Sequence, residues 1–353
     1  MDEYHKALSA EVIRFAQDVT AQLNCPAKLR TIYIGGGTPS TWPNQLLLDM
    51  CGILKNSFDL QNLEEMTIEV NPGTVSLEQM KLWKTAGITR ISVGVQSLND
   101  QVLEKLTRYQ KVEDVHRLMG WVDGLFDSVS IDLILGLPGV TDDEWKRQIE
   151  EIVTWPIRHI SVYFLSIHEG TELYFKVRRN TIVLPPDDQI VDLYYWTIDT
   201  FAAHGFLQYE ISSFAKPGYE SRHNRAYWSR KQYKGCGVGA WSFDGESRFQ
   251  NEKKLMTYIE AQNKGESCVV YKEKLTEDNI RFETIMLGLR TLEGVKIDDA
   301  ILGLSDAKRG EFFEKLAILA GQNLINQAGG KVYLTARAFS IENEIAAALY
   351  IEK

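Results

Sequence analysis

The chain has 353 residues, of which 44% are hydrophobic and 25% charged, and its net charge is −9. This composition is typical of a folded globular protein, and the acidic balance argues against a nucleic-acid-binding protein, which needs a basic surface. The sequence shows no signal peptide and no apolar run that could span a membrane. Its four scattered cysteines form no disulfide framework. We therefore expect a reduced, cytoplasmic protein with no nucleic-acid partner and no transmembrane segment.

An amphipathic helix is predicted over residues 3–23, and strands then alternate with helices up to residue 212. The predicted strands are Thr31–Ile34, Met66–Val70, Arg90–Gln96, Val129–Leu135, Ile160–Leu165 and Gln208–Ser212. The predicted helices between them are Asn44–Ser57, Leu77–Ala86, 100–107, 112–122, 142–153 and 187–204. Alternating strands and helices predict an α/β fold with a mostly parallel sheet.

Each predicted strand has one apolar and one polar face. In Arg90–Gln96, for example, Ile91, Val93 and Val95 alternate with polar or small residues. A doubly wound sheet would be apolar on both faces, whereas a barrel keeps helices outside and a polar cavity inside. The sequence therefore predicts a (β/α) barrel. Because the chain begins with a helix, this barrel lacks its first strand.

The segment after Ser212 is rich in aromatic, glycine and basic residues and has no period, so residues 213–243 are predicted to be a functional loop or a lid. Helices are predicted at 277–291, 306–321 and 336–349, with strands at 323–326 and 331–335. They indicate a small winged-helix-like domain without a basic recognition helix. The predicted domains are a barrel over 1–212, a connecting segment over 213–274 and a C-terminal domain over 275–353.

Residues 31–40, TIYIGGGTPS, predict a strand and a glycine-rich turn before a helix. Such a turn can hold a phosphate or carboxylate on backbone N–H groups, although a tight turn without a ligand would have the same sequence.

Glu69, Gln96 and Asp132 fall on the polar faces of neighbouring strands. Buried charges need partners, so these residues predict a cavity for a ligand with cationic and hydroxyl groups. Two other interpretations are an acid–base pair of carboxylates and a buried salt bridge with Arg108. For three such residues together, we favour the ligand.

The segment 223–228, HNRAYW, combines a histidine with aromatic residues and lies among Arg222, Arg225 and Arg230. An imidazole can bind heme iron, aromatic rings can pack on the macrocycle, and guanidinium groups can pair with its carboxylates. Judged by these residues alone, an ordinary loop histidine is the better interpretation of His223.

Seven motifs in order resemble one family. They are GGGTPS at 35–40, IEVNPGT at 68–74, RISVGVQS at 90–97, IDLILGLPG at 131–139, YEISSFAKPGY at 209–219, HNxxYW at 223–228 and GCGVGAWS at 235–242. Together they resemble the radical S-adenosylmethionine proteins related to oxygen-independent coproporphyrinogen III oxidase, and within that group the HemW-type heme chaperones. The resemblance covers nearly the whole chain.

The resemblance implies a partial (β/α)₆ barrel with a C-terminal winged-helix-like domain, and S-adenosylmethionine across the strand ends. The residues that match its site are Gly36, Gly37, Thr38, Glu69, Gln96, Arg108 and Asp132. HNxxYW implies heme binding by His223, Asn224, Tyr227 and Trp228, with His223 as the iron ligand, and this outweighs the interpretation from the residues alone.

The resemblance also implies a first strand and a CxxxCxxC loop that holds a [4Fe–4S] cluster, and neither is found here. The first residues match the helix that follows that loop, and Cys25 lies beyond it. We expect either an N-terminally incomplete sequence or a relative without a cluster. We favour the first, because the cofactor-lining residues are kept and a missing strand would leave a sheet edge open.

The function that the resemblance implies is heme binding and delivery to an acceptor protein. Without a cluster, we expect no radical chemistry and assign no catalytic residue. The alternative is an oxygen-independent coproporphyrinogen III oxidase. A third possibility is a barrel enzyme that uses Glu69 and Asp132 as acid and base.

Overall fold

The computed structural model describes residues 1–352, which form two compact units built from separate segments of the chain. We call the unit made of Arg30–Leu48 and Leu63–Ser221 the sheet unit. The composite unit consists of Met1–Leu29, Asp49–Asn62 and the residues from Arg222 onwards. The domain boundaries predicted after residues 212 and 274 remain predictions.

The elements are numbered in chain order. The strands are β1 (Thr31–Ile34), β2 (Glu65–Val70), β3 (Arg90–Gln96), β4 (Ser128–Leu135), β5 (His159–Phe164), β6 (Leu207–Glu210), β7 (Ser213–Ala215), β8 (Trp241–Phe243), β9 (Ser247–Asn251), β10 (Val269–Lys274), β11 (Val295–Lys296), β12 (Ile325–Ala328) and β13 (Lys331–Leu334). The helices are α1 (Asp2–Leu23), α2 (Asn44–Ser57), α3 (Leu77–Ala86), α4 (Asp100–Lys105), α5 (Val112–Val122), α6 (Asp142–Ile152), α7 (Glu172–Arg178), α8 (Asp187–Ala203), α9 (Arg222–Trp228), α10 (Leu255–Asn263), α11 (Glu277–Leu289), α12 (Ile297–Ala300), α13 (Asp306–Gly321) and α14 (Glu342–Leu349).

The sheet unit contains a sheet of order β1-β2-β3-β4-β5-β7-β6. Strands β1 to β5 are parallel, as predicted. The predicted strand near 208–212 is found as β6, but the chain turns after Glu210 and adds β7, which was not predicted. Strand β7 lies between β5 and β6 and is antiparallel to both. The Tyr194 hydroxyl donates to the Ile211 carbonyl at 2.7 Å and so fixes this turn.

The predicted alternation of polar and apolar side chains is present along β3 and its neighbours. Ile91, Val93 and Val95 are fully buried, as are Ile131 and Leu133 of β4. Burial of such side chains supplies the main stabilisation of the sheet, at about 1.5–3 kcal/mol for each large aliphatic residue. The other face of the strands is consequently left to polar residues.

Capping residues explain why several helix boundaries follow from the sequence. Helix α3 begins after Ser76, whose hydroxyl accepts a hydrogen bond from the Gln79 N–H, and it ends at Gly87 with φ of 103°. Thr141 caps α6 in the same way. A hydroxyl at the start and a left-handed glycine at the end are strong local signals.

The composite unit corrects the prediction of a loop over 213–243. Arg222–Trp228 forms helix α9, and Trp241–Phe243 forms β8 of a three-stranded antiparallel sheet with β9 and β10. Neither segment has a clear apolar period, because α9 has only seven residues and β8 only three. Short elements of this kind are specified by tertiary contacts rather than by local pattern.

The C-terminal part of the composite unit contains the predicted pair of short strands, β12 and β13, with β11 added beside β13. The helix predicted over 336–349 begins as a 3₁₀ turn and becomes α14 only at Glu342. Arg281 of α11 is 2% exposed, and its guanidinium donates to the carbonyl groups of Ile351, at 2.9 and 3.3 Å, and of Leu302, at 3.2 Å.

A buried carboxylate connects the first helix to the rest of the composite unit. Glu11 of α1 is 6% exposed and accepts hydrogen bonds from the Gly237 N–H at 2.8 Å and the Tyr258 hydroxyl at 2.7 Å. It also accepts from the Asn251 amide at 2.8 Å and pairs with Lys234 at 3.1 Å. These four donors compensate for the desolvation of the carboxylate.

We expect Glu11→Ala to lower the free energy of unfolding by about 3–5 kcal/mol, because the substitution leaves buried donors without their acceptor. Urea denaturation monitored by circular dichroism measures this change. The control is Glu3→Ala, which removes an exposed carboxylate from the same helix. Equal unfolding midpoints for the two variants would contradict the structural role of Glu11.

Candidate functional site

The polar face of the sheet unit carries a fixed carboxylate at the end of β2. The Tyr33 hydroxyl donates to Glu69 Oε1 at 2.9 Å, and the Gly36 N–H donates to Glu69 Oε2 at 3.1 Å. Both oxygens of Glu69 therefore have a partner from β1 or from the turn that follows it. This carboxylate therefore links β2 to the glycine-rich turn by hydrogen bonds.

The three adjacent glycines differ in their backbone angle φ and in the space available for a Cβ atom. A Cβ at Gly35 would lie 2.5 Å from the Tyr33 ring and 2.7 Å from Glu69 Oε1, so no side chain fits there. Gly36 has φ of +82°, which disfavours other residues. A Cβ at Gly37 would meet no atom within 4 Å. The last glycine therefore borders open space, which is where a ligand could approach the backbone.

The end of the turn is joined to the segment after β2. Ser40 Oγ lies 2.7 Å from Thr74 Oγ1 and accepts a hydrogen bond from the Asn71 N–H at 3.2 Å. The Thr38 carbonyl accepts from the hydroxyl of Thr41 at 2.8 Å, while Thr38 itself is exposed. These contacts hold the end of the turn against the segment that follows β2 and leave Thr38 exposed.

Gln96 and Arg108 meet at the end of β3. The pairing of β3 with β4 shifts between Gly94 and Gln96, and Gln96 adopts a left-handed φ of 66°. A Cβ at Gly94 would lie 3.0 Å from Gln96 Nε2 and 3.9 Å from Arg108 Nη1. Gln110 donates to the carbonyl groups of Gly94 and Val95, at 2.8 and 3.0 Å, and supports this irregular backbone.

Asp132 of β4 lies on the same polar face and accepts a hydrogen bond from Ser92 Oγ at 3.1 Å. Burial raises the pKa of Asp132 to about 6, although hydrogen bonds from Ser161 and Ser92 oppose this shift. The positive charge of Arg90 also lowers the Asp132 pKa, whereas the negative charge of Glu69 raises it.

The alternative of a buried salt bridge with Arg108 is not found. Among residues 1–352, no ion pair joins Arg108 to Glu69 or Asp132. Neither carboxylate therefore forms an ion pair within the described part of the chain, and the only positive side chain that acts on Asp132 at longer range is Arg90. This arrangement favours a ligand that brings its own positive charge.

Two tyrosines also belong to this polar set, and the sequence-based assignment of site residues missed both. Burial and the neighbouring charges of Glu69 and Asp132 raise the pKa of Tyr33, and burial and Asp132 raise the pKa of Tyr163. Both phenols therefore stay protonated and can donate hydrogen bonds. Strict alternation along β1 and β5 was the signal that could have identified them, since it places both on the polar face.

At the start of the strands, hydrogen-bonded protein side chains occupy the polar face of the sheet. His159 is 1% exposed, with Nδ1 at 2.7 Å from Ser130 Oγ and Nε2 at 2.7 Å from the Tyr209 hydroxyl. Tyr209 accepts in turn from the Ser221 N–H at 3.1 Å. Burial lowers the pKa of His159 well below its ordinary value, so this imidazole is neutral. Protein side chains therefore occupy the polar face at this end of the strands.

The second predicted site lies on α9 of the composite unit. Its aromatic side chains form a row of edge-on and tilted contacts. His223 Nε2 is 3.0 Å from the Tyr227 hydroxyl, and their rings are nearly perpendicular, with centroids 4.8 Å apart. Tyr227 packs edge-on against Tyr233 at 4.6 Å, and Tyr233 lies 6.3 Å from Phe243. Burial, with the neighbouring Tyr233, raises the pKa of Tyr227 to about 12.

The arginines around α9 have partners within the composite unit. Arg225 pairs with Glu293, and Arg230 pairs with Glu283 and lies 5.2 Å from the Phe243 ring. The expectation that these guanidinium groups pair with ligand carboxylates stays a prediction, and such pairing would have to compete with these two glutamates. The remaining binding residues predicted from the motif, Asn224 and Trp228, are both half-buried, and Arg290 lies 5.9 Å from the Trp228 ring.

The described cysteines do not form a metal site. Cys25 is exposed, Cys51 and Cys268 are buried, and Cys236 is half-buried. Within residues 1–352, no group of three or more His, Cys, Asp or Glu side chains could hold a metal ion. An iron–sulfur cluster therefore does not fit the described residues. The described helices include none that is long and apolar enough to cross a membrane.

Comparisons with known proteins agree with this fold. Residues 14–152 match the model of the radical SAM superfamily, and residues 275–341 match that of the HemN C-terminal domain. The structure of coproporphyrinogen III oxidase (HemN) from Escherichia coli, described as a radical SAM enzyme, aligns with a TM-score of 0.82 at 22% identity. The alignment covers 99% of this chain and 83% of that one. The predicted fold class, an α/β radical-SAM fold with a C-terminal domain, is confirmed.

Sequence relatives define the group more narrowly. Heme chaperone HemW from Bacillus subtilis (strain 168) is 36% identical over 351 residues, which cover 98% of this chain and 90% of that protein. Heme chaperone HemW from Lactococcus lactis is 32% identical over 322 residues, covering 90% and 84%. The chain belongs to the HemW family, and the resemblance stated from its motifs is confirmed.

The raised pKa of Asp132 predicts a pH dependence of stability. The folded chain holds this proton up to about pH 6, whereas the unfolded chain releases it near the ordinary value of 3.8. The stabilising contribution is complete below that value and is lost as the pH rises from about 4 to 6. Because asparagine stays neutral, Asp132→Asn should gain roughly 1–3 kcal/mol relative to the wild type over this window.

Urea denaturation of both proteins between pH 4 and pH 7 measures this difference. Asp18→Asn, which removes an exposed carboxylate from α1, is the control. A difference between Asp132→Asn and the wild type that stays constant over this range would contradict the predicted protonation of Asp132.

Proposed function

We propose that this protein is a heme chaperone that binds heme at α9 and delivers it to an acceptor protein. The observation that carries the proposal is the partly exposed Tyr227 side chain, hydrogen-bonded to His223 within a cluster of edge-on aromatic rings. Imidazole and phenolate groups both bind heme iron, and aromatic rings pack against a flat macrocycle. The similarity to heme chaperones HemW over nearly the whole chain supports the proposal.

The alternative function, oxidation of coproporphyrinogen, has less support. The likeness to coproporphyrinogen III oxidase is structural, at 22% identity, and so concerns the fold. Three bacterial relatives with 32–36% identity, each matched over at least 90% of this chain, carry the name heme chaperone HemW. A cytoplasmic location and a heme-accepting protein as partner complete the proposal.

The sheet unit is proposed to bind S-adenosylmethionine, whose ammonium and sulfonium groups supply positive charge. Glu69 and Asp132 would attract that charge, and the open backbone at Gly37 would lie against the amino-acid part of the ligand. The other proposed contacts are Gly36, Thr38, Gln96 and Arg108. The Gly36 N–H already donates to Glu69, which limits what it can offer a ligand.

The heme proposal predicts that His223→Ala weakens the binding of added hemin by about tenfold or more, because an iron ligand or its hydrogen-bond partner is lost. Titration followed by the Soret band measures this affinity. Transfer from the loaded protein to apomyoglobin, used as a general acceptor, measures delivery.

The matched control is His168→Ala, which removes an exposed histidine from the sheet unit. Equal titration curves for the two variants would refute a role for His223. Failure of the wild-type protein to bind hemin would refute the proposed function as a whole.

The S-adenosylmethionine proposal predicts separate effects on binding and stability. Gly37→Ala should leave the free energy of unfolding within about 1 kcal/mol of the wild-type value, since its Cβ meets no protein atom. The methyl group should nevertheless enter the ligand's space and weaken binding about tenfold, as measured by isothermal titration calorimetry.

Gly52→Ala, in helix α2, is the control for an added methyl group in open space. If Gly37→Ala and Gly52→Ala bind S-adenosylmethionine equally, the ligand does not approach the turn at Gly37.

A further inference from the structure

Helix α9 presents two candidate iron ligands, and their side chains are hydrogen-bonded to each other. His223 and Tyr227 are four residues apart, which places them on one face of the helix. A helical side chain leans towards the N-terminus and covers the preceding turn, so Tyr227 lies over His223. The 3.0 Å contact between Tyr227 Oη and His223 Nε2 results from this geometry.

The two groups differ in access. Tyr227 is 39% exposed, whereas His223 is half-buried and its Nε2 atom already contacts the phenol. Binding of iron to Nε2 would require the tyrosine to move away and lose its hydrogen bond. Binding of iron to Tyr227 Oη leaves both side chains in place.

We propose that Tyr227, rather than His223, is the axial ligand of ferric heme, and that His223 is its proton acceptor. This inference rests on the proposed heme-binding function and assigns the residue roles within it. When the iron binds, the O–H bond of Tyr227 breaks and the Oη–Fe(III) bond forms. The proton moves to His223 Nε2, the solvent molecule that occupied this position on the added hemin leaves to bulk water, and the oxidation state of the iron does not change. Tyrosinate ligation of heme iron is known chemistry.

The surrounding contacts hold the phenol in position. Tyr233 packs edge-on against the Tyr227 ring at 4.6 Å, and Tyr233 is itself placed by Phe243. Arg230 lies over Phe243 and is fixed by the buried Glu283. A protein side chain that is already held in one orientation loses less conformational entropy when it binds a metal ion.

An anionic oxygen ligand stabilises ferric iron more than ferrous iron. The cargo should therefore be held tightly as ferric heme and loosely after reduction. If the neutral imidazole of His223 were the ligand, reduction would have a much smaller effect, because histidine binds both oxidation states in heme proteins.

The test uses the whole chain loaded with hemin, before and after reduction by dithionite. The wild-type ferric complex should show tyrosinate–iron modes in its resonance Raman spectrum. Tyr227→Phe should lose these modes and weaken ferric binding by about tenfold or more, with a change of less than about threefold for ferrous heme. His223→Ala should keep the modes while binding hemin more weakly.

Tyr271→Phe, on the exposed strand β10, is the matched control and should behave as the wild type. Binding of iron-free protoporphyrin serves as a second measurement, because it needs no axial ligand. It should be unchanged in Tyr227→Phe, which shows that the surface around α9 is intact.

Two results would overturn the assignment. One is a wild-type ferric complex without tyrosinate modes. The other is a Tyr227→Phe complex that keeps the wild-type spectrum while His223→Ala loses iron ligation, which would make His223 the ligand and leave the heme-binding function standing. If the wild-type protein binds neither hemin nor protoporphyrin, the heme-binding function itself fails.

Discussion

The polar face of the parallel sheet imposes one requirement on the sheet unit: each charged group that leaves bulk water needs a hydrogen-bond partner. Glu69 meets it with the Tyr33 hydroxyl and the Gly36 N–H. The position of this carboxylate then excludes any side chain at Gly35. The glycine-rich turn and the polar strand β2 are therefore consequences of each other, and substitution of either one disturbs both.

The same requirement organises the composite unit around two buried carboxylates. Glu11 binds the loop before β8 to α1, while Glu283 of α11 pairs with both Arg230 and Arg248. Arg230 lies two residues after the end of α9, so Glu283 helps to fix the C-terminal end of the proposed heme-binding helix. Binding at α9 would thus be sensitive to the C-terminal domain even without direct contact between that domain and the heme.

Much of this architecture follows from the sequence where local signals are strong. The bounds of α3 follow from the cap at Ser76 and from Gly87, and alternation along the strands placed Glu69 and Asp132 on one face. Helix α9 and strand β8 were missed because their few residues have no period. The contact from Tyr33 to Glu69 depends on the register of two strands, which no local pattern encodes. For His223 it was the resemblance, not its own surroundings, that indicated a ligand role.

Arg281 differs from these carboxylates because main-chain carbonyl groups supply most of its hydrogen bonds. Its buried guanidinium is satisfied by carbonyl groups, those of Ile351 and Leu302, and not only by the Asp278 side chain. The contact does not depend on the chemistry of the Ile351 side chain, which is buried for a separate reason, as part of the hydrophobic core. Another apolar residue that packs in the same place could therefore keep it. Side-chain covariation between the two positions would give no sign that this buried guanidinium is hydrogen-bonded there.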